Sequence, residues 1–184
     1  MPIRPYEAKD RDDVRYICLN SDGPCDADEN GQHFLLTAYC DYYIEREPHN
    51  CFVFADENDR AVGYILCAED FFKFREVFLT EFKNRLKPED TASHGYFLAS
   101  IELHERYAAT HPAHLHIDLL PEYQGKRIGT QLMDTLFAHL KAKNVPAVTL
   151  SVWKHNQGGM RFYEKLQFDR LGENANNVAF GKSI

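Results

Sequence analysis

The sequence predicts an α/β fold in which helices cover both faces of a mixed β-sheet, built as a single domain over residues 1–184. Short apolar runs alternate with stretches of helical periodicity along the chain. Two of these runs, within residues 51–67, are joined only by a polar turn, which predicts an antiparallel hairpin. Two later runs are joined by a helical stretch, which predicts a parallel crossover. The length of 184 residues is sufficient for one well-buried core and short for two.

The N-terminal quarter is predicted to contain one strand and two helices. Residues 3–6 are apolar enough for a short strand, and Pro5 places it near a sheet edge because proline cannot donate to a central ladder. Asp10 is a suitable N-cap for a helix that ends near Ser21. Residues 21–31 are rich in Gly, Pro, Asp and Asn and are predicted to form a loop. Helical spacing of apolar residues then predicts a helix that ends before Pro48.

The middle of the chain is predicted to carry a helical insertion between the third and fourth strands. Residues 51–55 and 61–67 form the predicted hairpin, which supplies the second and third strands. Residues 71–86 and about 93–107 show helical periodicity, with Pro88 between them. The insertion therefore covers about residues 70–110.

The C-terminal part is predicted to alternate strands with helices and to close with a strand pair. The predicted strands and helices are, in order, strand 113–120, helix 125–143, strand 147–153, helix 156–166, and strands 168–171 and 178–182.

The turn that follows the strand of residues 113–120 has the properties of an anion-binding site. A strand that passes through a glycine-containing turn directly into a helix leaves several backbone N–H groups unpaired at the positive end of the helix dipole. Gly125 and Gly129 permit a close approach of the backbone, and Lys126 and Arg127 add positive charge. A diphosphate suits this arrangement.

Two spaced motifs resemble the GCN5-related N-acetyltransferase (GNAT) family. Gln124-x-x-Arg127-x-Gly129 is similar to the family's coenzyme A turn, and Asn156 followed by residues 161–168, Arg-Phe-Tyr-Glu-Lys-Leu-Gln-Phe, resembles its second signature. The resemblance implies a mixed, mostly antiparallel central sheet with helices on both faces. It also implies acetyl-coenzyme A as co-substrate, with its diphosphate held by the turn. The residues assigned to the turn are Gln124, Gly125, Lys126, Arg127, Ile128, Gly129 and Thr130.

The chain departs from the family pattern at two positions. Arg127 stands where the family usually has its first glycine, so the interpretation requires Arg127 to keep helical dihedral angles. Gln167 replaces a glycine at a position that is expected to need a turn after the helix. A weaker resemblance, carried by residues 115–118 and 121–125, is to the acetyltransferase-like domain associated with O-GlcNAc hydrolases and its bacterial relatives.

The resemblance also assigns residues to the pantetheine arm and to proton transfer. Backbone groups of Leu119 and Leu120 and the amide of Asn156 are expected to bind the arm, and Tyr163 is the expected general acid for the departing thiolate. A tyrosine packed in the core by its ring is the alternative for Tyr163.

The general base is sought on the strand of residues 113–120. His114, His116 and Asp118 share one face of that strand because side chains two residues apart point to the same side. Asp118 is the first candidate and His116 the second. A merely solvated face is equally compatible with this pattern. Further candidates in the insertion are Glu102, His104 and Glu105.

Charge and composition exclude several function classes. The net charge of −7 disfavours nonspecific binding to nucleic acid and to anionic membranes. The N-terminus lacks the apolar core of a signal peptide and the cysteines lack a Cys-x-x-Cys pair, so we expect a cytoplasmic protein with no metal site and no disulfide framework. No P-loop signature occurs.

The sequence therefore predicts an acetyl-coenzyme A-dependent N-acetyltransferase that uses direct attack in a ternary complex. The acceptor is expected to be an amine of a small molecule or a peptide, and a homodimer is left open. The alternative is a catalytically inactive coenzyme A-binding or regulatory module with the same fold.

Overall fold

The structure, a computed structural model, describes residues 2–87 and 91–184, apart from the side chains of residues 91–93. Pro88, predicted to separate the two inserted helices, lies outside the described residues. The strands and helices are β1 (Ile3–Pro5), α1 (Arg11–Asn20), α2 (Glu29–Leu36), α3 (Tyr42–Arg46), β2 (Phe52–Ala55), β3 (Ala61–Ala68), α4 (Phe71–Val77), α5 (Thr91–Glu105), β4 (Ala113–Leu119), α6 (Ile128–Ala142), β5 (Ala147–Trp153), α7 (Gln157–Lys165), β6 (Asp169–Glu173) and β7 (Asn177–Ser183). Two π-helical segments, Thr37–Asp41 and Phe78–Phe82, extend α2 and α4.

The strands form one mixed sheet in the order β1-β2-β3-β4-β5-β7-β6. Every neighbouring pair is antiparallel except β4 and β5, which run parallel. The fold class predicted from the sequence is confirmed, including the position of β1 at an edge and the inserted helices α4 and α5 between β3 and β4. The predicted bounds differ most at α4, which ends at Val77 rather than at residue 86 and is extended by the π-helical segment Phe78–Phe82, and α6 begins at Ile128 rather than at residue 125.

Alternation along β3 and β4 gives the sheet two core layers. Tyr64, Leu66 and Ala68 of β3 belong to a cluster with the N-terminal helices and the inserted helix α4. Ile65 and Cys67 point to the other face and belong to a cluster with α6 and α7. Since side chains of a strand alternate between faces, the functional residues of β4 are also divided between these layers.

β4 and β5 pair only where they begin. The register contains two pairs, Ala113 with Val148 and His114 with Thr149. Beyond His114, β4 continues alongside β3 as far as Leu119, while β5 pairs with β7 as far as Trp153. The two central strands therefore diverge and leave a gap in the middle of the sheet.

Gly63 is required by close packing at the end of this gap. It pairs with Leu119, and a Cβ atom built on Gly63 would lie 2.1 Å from Leu119 Cδ2. The absence of a side chain on Gly63 thus allows Leu119 to lie over β3.

We expect Gly63→Ala to lower the free energy of unfolding by about 1–3 kcal/mol, because Leu119 must leave its rotamer or β3 must shift. Urea denaturation measures the change. Gly95→Ala is the matched control, since a Cβ atom at Gly95 meets no atom within 4 Å and alanine favours a helix. If Gly63→Ala and Gly95→Ala lowered the free energy of unfolding by the same amount, this packing argument would be contradicted.

Candidate functional site

A cleft of about 450 Å³ lies where β4 and β5 diverge. Its walls come from the end of β4, the turn that precedes α6, and α7. The lining residues are Ser21, Asp22, Ile117, Asp118, Leu119, Gln124, Gly125, Arg127, Ile128, Gly129, Thr130, Asn156, Gly158, Gly159, Phe162, Tyr163, Lys165 and Leu166. Most of the residues assigned from the sequence are thus brought together around one cleft.

The turn before α6 carries a row of unpaired donors. Within the described part of the chain, no group accepts a hydrogen bond from the backbone N–H groups of the six residues from Gly125 to Thr130. The first helical bond of α6 is donated by Gln131 to the carbonyl of Arg127, at 3.2 Å. Gly125 to Arg127 are exposed, whereas Ile128 to Thr130 are buried or half-buried, where N–H groups are normally paired. The row is therefore a ready site for an anion.

The turn has two residues in the left-handed region. Gly125 has φ 72°, as a glycine permits, but Arg127 has φ 63° and ψ 10°. The expectation that Arg127 keeps helical dihedral angles is therefore wrong. The reason is geometric: the chain must reverse between the end of β4 and the start of α6 at Ile128, and Arg127 is the N-cap of that helix. Gln167, by contrast, forms the expected turn after α7, with φ 60°.

Gly129 lines the cleft and also packs against α7. A Cβ atom built on Gly129 would lie 3.1 Å from Cζ of Phe162. The glycine therefore allows the first turn of α6 to approach the α7 side chain that precedes Tyr163. Sequence reasoning assigned Gly129 to phosphate approach and missed this packing role.

Two assigned residues have side chains occupied elsewhere. The Nε2 group of Gln124 donates to the carbonyl oxygens of Ser21, at 2.7 Å, and Leu119, at 2.9 Å. Its backbone N–H donates to Pro121, so Gln124 lines the cleft with all of its donors in use, and its assignment to coenzyme binding stays a prediction. The ammonium of Lys126 lies over the Tyr123 ring, 5.4 Å from its centroid, and Lys126 is absent from the cleft lining. Its backbone N–H remains part of the unpaired row.

The backbone of β4 presents unpaired groups at Ile117 and at the N–H of Leu119, whose carbonyl accepts from Gln124. Leu120 donates its N–H to Val62, and hydrogen-bonded positions alternate along an antiparallel pair. Ile117 and Leu119 consequently direct their backbone groups away from β3, into the gap with β5. The N–H of Leu120 is already used, its carbonyl accepts from Tyr123, and Leu120 does not line the cleft, so the structure does not support this assignment. Ile117, which lines the cleft, was not among the residues assigned from the sequence.

Asn156 is the N-cap of α7. Its side-chain oxygen accepts from the backbone N–H of Gly159, at 2.7 Å, which satisfies one donor of the helix N-terminus. Asn156 lines the cleft together with Gly158 and Gly159. The cleft is thus bordered by the N-termini of both α6 and α7.

Tyr163 lines the cleft and has a buried ring. Its ring packs against Phe168 and Phe180, with centroids 5.5 and 6.0 Å away, and the residue is 9% exposed. Desolvation, and then the negative charge of Asp118, raise the pKa of Tyr163 well above its usual value. The phenol is therefore neutral at physiological pH and able to donate a proton.

Asp118 faces Tyr163 from the other side of the cleft. It accepts a hydrogen bond from the Tyr64 hydroxyl at 2.6 Å. Desolvation raises the pKa of Asp118 to about 6, while hydrogen bonds from Tyr64 and Ser21 oppose the rise and the charge of Asp22 adds to it. Such a carboxylate is mostly ionised at pH 7 and is a stronger base than an exposed aspartate.

The histidines on the same strand do not reach the cleft. His116 packs against Tyr39 and Tyr43, at centroid distances of 5.4 and 5.3 Å, and desolvation lowers the pKa of His116 to about 4. His114 is 2% exposed. Both belong to an aromatic cluster, so the structure does not support His116 as a base, because it has no contact with the cleft.

The candidates in the insertion lie away from the cleft as well. His104 is buried and forms a 3.0 Å hydrogen bond with Thr149, and Glu105 pairs with Arg75. Neither residue, nor Glu102, lines the cleft. Asp118 is the candidate base that remains.

Glu47, His49 and Glu69 form a separate polar cluster with ligand atoms within 4.8 Å of one another. Glu47 already accepts hydrogen bonds from Tyr42, Asn50 and the backbone of Glu69. The ammonium of Lys143 pairs with Glu69 and supplies positive charge there. We therefore interpret this cluster as a structural network.

Comparison with known proteins agrees with this geometry. Residues 18–168 match the profile of the Acetyltransferase (GNAT) family. The fold is similar to the crystal structure of a protein named SsHAT, with a TM-score of 0.84 and 29% identity over 99% of this chain and 97% of that one. It is also similar to PaiA N-acetyltransferase from Thermoplasma acidophilum, solved in complex with coenzyme A, with a TM-score of 0.62 and 16% identity over 100% and 98% of the two chains.

A third similar structure is the polyamine N-acetyltransferase of Drosophila melanogaster, which catalyses the formation of N-acetylagmatine. Its TM-score is 0.67, with 13% identity over 100% of this chain and 99% of that one. Across the described residues, no helix has both the length and the apolar character needed to cross a bilayer.

We expect NMR titration of the Asp118 carboxyl carbon to give a midpoint at about pH 6. Tyr64→Phe removes a hydrogen bond to the ionised form and should raise the pKa of Asp118 by about one unit. Tyr16→Phe is the matched control, because Tyr16 is 59% exposed. A midpoint near the usual aspartate value in the wild type would show that Asp118 is not in the desolvated site described.

Proposed function

Because the chain belongs to the acetyltransferase (GNAT) family, we propose that it transfers an acetyl group from acetyl-coenzyme A to an amine, by direct attack in a ternary complex. The observation that carries this proposal is the row of unpaired N–H groups from Gly125 to Thr130, which opens on the cleft that Asp118 and Tyr163 line. Acetyl-coenzyme A supplies the acetyl group as a thioester and leaves as a thiol.

The row of donors would hold the diphosphate. Several N–H groups at one helix terminus, together with the positive end of the α6 dipole, bind an anion without requiring a side chain. Arg127 and Lys165, both exposed at the cleft, add positive charge on either side. This arrangement explains how a chain with a net charge of −7 can bind a highly anionic coenzyme.

The gap between β4 and β5 would hold the pantetheine arm. Ile117 and Leu119 direct backbone groups into the gap, and an amide-containing chain can bind there in the manner of an added strand. The Nδ2 group of Asn156 lies on the opposite wall. The arm would thus lead from the diphosphate turn to the hydroxyl of Tyr163.

Asp118 and Tyr163 would transfer the protons. An amine attacks only when it is deprotonated, and Asp118 accepts its proton, directly or through a water molecule. As the C–S bond breaks, the neutral phenol of Tyr163 donates a proton to the departing thiolate. The charge of Asp118 favours the neutral form of Tyr163, so the two groups are suited to opposite roles.

The acceptor would be an amine of a small molecule or a peptide. Asp22 is exposed at the cleft on the side of Asp118, and a carboxylate there favours a positively charged acceptor. The similar Drosophila enzyme acts on polyamines and agmatine, which makes those amines the first to assay.

We expect Gly129→Val to weaken coenzyme A binding at least about tenfold, or 1.4 kcal/mol. The added methyl groups must displace Phe162, whose Cζ lies 3.1 Å from the Cβ position, and thereby narrow the cleft beside the donors. Isothermal calorimetry measures the affinity and circular dichroism reports folding. If the valine variant does not fold, Gly129→Ala provides a smaller displacement. A folded variant with wild-type affinity would argue against this location for the coenzyme.

We expect Tyr163→Phe and Asp118→Asn each to lower kcat by about 10²- to 10⁴-fold, the usual contribution of a general acid or base. Release of free thiol from acetyl-coenzyme A with agmatine, spermidine and a lysine peptide measures turnover. In the wild type, activity should fall as the pH drops through about 6, because Asp118 becomes protonated. This acidic limb should be absent in Asp118→Asn.

Two results would contradict the assignment of these residues. One is wild-type turnover in Tyr163→Phe, and the other is an unchanged acidic limb in Asp118→Asn. Coenzyme A binding without thiol release for any amine would instead favour the alternative of a coenzyme-binding or regulatory module.

A further inference from the structure

The only tryptophan of the chain stands exposed at the end of β5. Trp153 is 60% exposed, although an indole is on average a well-buried side chain. Its ring makes an edge contact with the ring of His155, with centroids 5.1 Å apart, and most of its surface is left to solvent. A rigid aromatic ring in this position is suited to contact with a ligand.

The sheet register places Trp153 on the same face as Asp118. His114 pairs with Thr149 at the point where β4 and β5 begin to diverge. Asp118 and Trp153 each lie four residues beyond that pair, a distance of about 13 Å along a strand. Because side chains two residues apart share a face, both point to the face on which Thr149 bonds to His104 of α5. Trp153 therefore stands across the gap from Asp118, outside the lining of the cleft itself.

The backbone that carries Trp153 is held on two sides. Trp153 pairs with Asn177, at the start of β7. The side-chain oxygen of Asn174 closes the turn before β7, accepting from the backbone N–H groups of Asn176 and Asn177 at 2.9 and 2.8 Å. The Nδ2 group of Asn174 donates to the carbonyl of Ala99 in α5, at 3.0 Å. The strand end is thus in place before any ligand binds, which lowers the entropy cost of binding.

The charges around the gap favour a cation. Asp118 and Asp22 line the cleft on the β4 side. Lys154, next to Trp153, is paired with Glu173 at 3.0 Å, so its positive charge is already compensated. The face of an indole attracts a cation more strongly than other aromatic rings do. Carboxylates on one side of the gap and an indole on the other suit a ligand with a positive charge at each end.

We propose that Trp153 determines acceptor specificity: its indole face binds the distal positive charge of a dicationic amine whose reacting amine lies at Asp118. This inference rests on the function proposed above and narrows its acceptor to amines that carry a second ammonium or guanidinium group. A monoamine of similar length reaches Asp118 but leaves the indole without a partner.

The fluorescence of Trp153 measures acceptor binding without turnover, since no other tryptophan contributes to the emission. The protein saturated with coenzyme A is titrated with agmatine, and butylamine, which is agmatine without its guanidinium group, is measured by competition. We expect agmatine to change the emission saturably. Butylamine should bind at least about fivefold more weakly, the usual effect of a cation over an indole.

Thiol release from acetyl-coenzyme A separates recognition from chemistry. In Trp153→Leu the KM for agmatine should rise about fivefold. The kcat, the Kd of coenzyme A and the KM for butylamine should stay within about twofold of wild type. Trp153→Phe keeps an aromatic face and should recover part of the agmatine affinity. Phe72→Leu is the matched control: Phe72 is 51% exposed and begins α4 beside Phe71, whose N–H bonds to Pro112 at the opposite end of β4.

The outcomes separate this inference from the proposed function. An unchanged KM for agmatine in Trp153→Leu, an equal rise for agmatine and butylamine, or the same rise in Phe72→Leu would overturn the inference and leave the proposed function standing. So would the absence of an emission change with agmatine when coenzyme A binds. Failure of the wild type to bind coenzyme A, measured by calorimetry, would overturn both. If Trp153→Leu does not fold, Trp153→Phe and the fluorescence titration decide.

Discussion

The divergence of β4 from β5 is the constraint on which the rest of the site depends. β4 has a complete partner in β3, yet it pairs with β5 only at Ala113 and His114. A strand inside a sheet normally has both edges bonded, because unpaired backbone groups are costly to bury. Here the edge of β4 at Ile117 and Leu119 has no strand partner on the β5 side, while β5 pairs with β7 along its other edge. The gap exists because β4 is hydrogen-bonded to β3 and β5 is hydrogen-bonded to β7, each along the edge that faces away from the gap.

The same gap brings groups from the two core layers to one cleft. Asp118 points to the face covered by the N-terminal helices, whereas Tyr163 approaches from the α7 face. Neither helix layer alone could provide both groups. Their burial raises the pKa of each, for Asp118 to about 6 and for Tyr163 well above its usual value. Desolvation therefore makes the carboxylate more basic and keeps the phenol protonated, which are the properties that opposite proton-transfer roles require.

The sequence was sufficient for the fold and for the position of the turn of unpaired N–H groups before α6, because both depend on local patterns. Periodicity defines the elements, and glycines between a strand and a helix indicate a turn of free donors. The errors concern properties that tertiary contacts decide. The register of β4 with β3 decides which residues of β4 bond to β3 and which turn their backbone groups away from it. Ile117 and Leu119 turn away, whereas Leu120 is bonded to Val62. The side-chain amide of Gln124 donates a hydrogen bond to the carbonyl of Ser21, which lies 103 residues away in the sequence. Likewise, the exclusion of His116 from the cleft depends on Tyr39 and Tyr43. No local pattern could place these partners.

The most direct measurement is an NMR titration of the backbone amides with coenzyme A. The account requires the largest shift changes at the N–H groups of residues 125–130, together with changes at Ile117 and Leu119, and little change at His116 or at the cluster of Glu47, His49 and Glu69. The central claim, that unpaired N–H groups at the start of α6 bind the coenzyme, would be contradicted if coenzyme A left the amides of residues 125–130 unperturbed or shifted only residues outside the cleft.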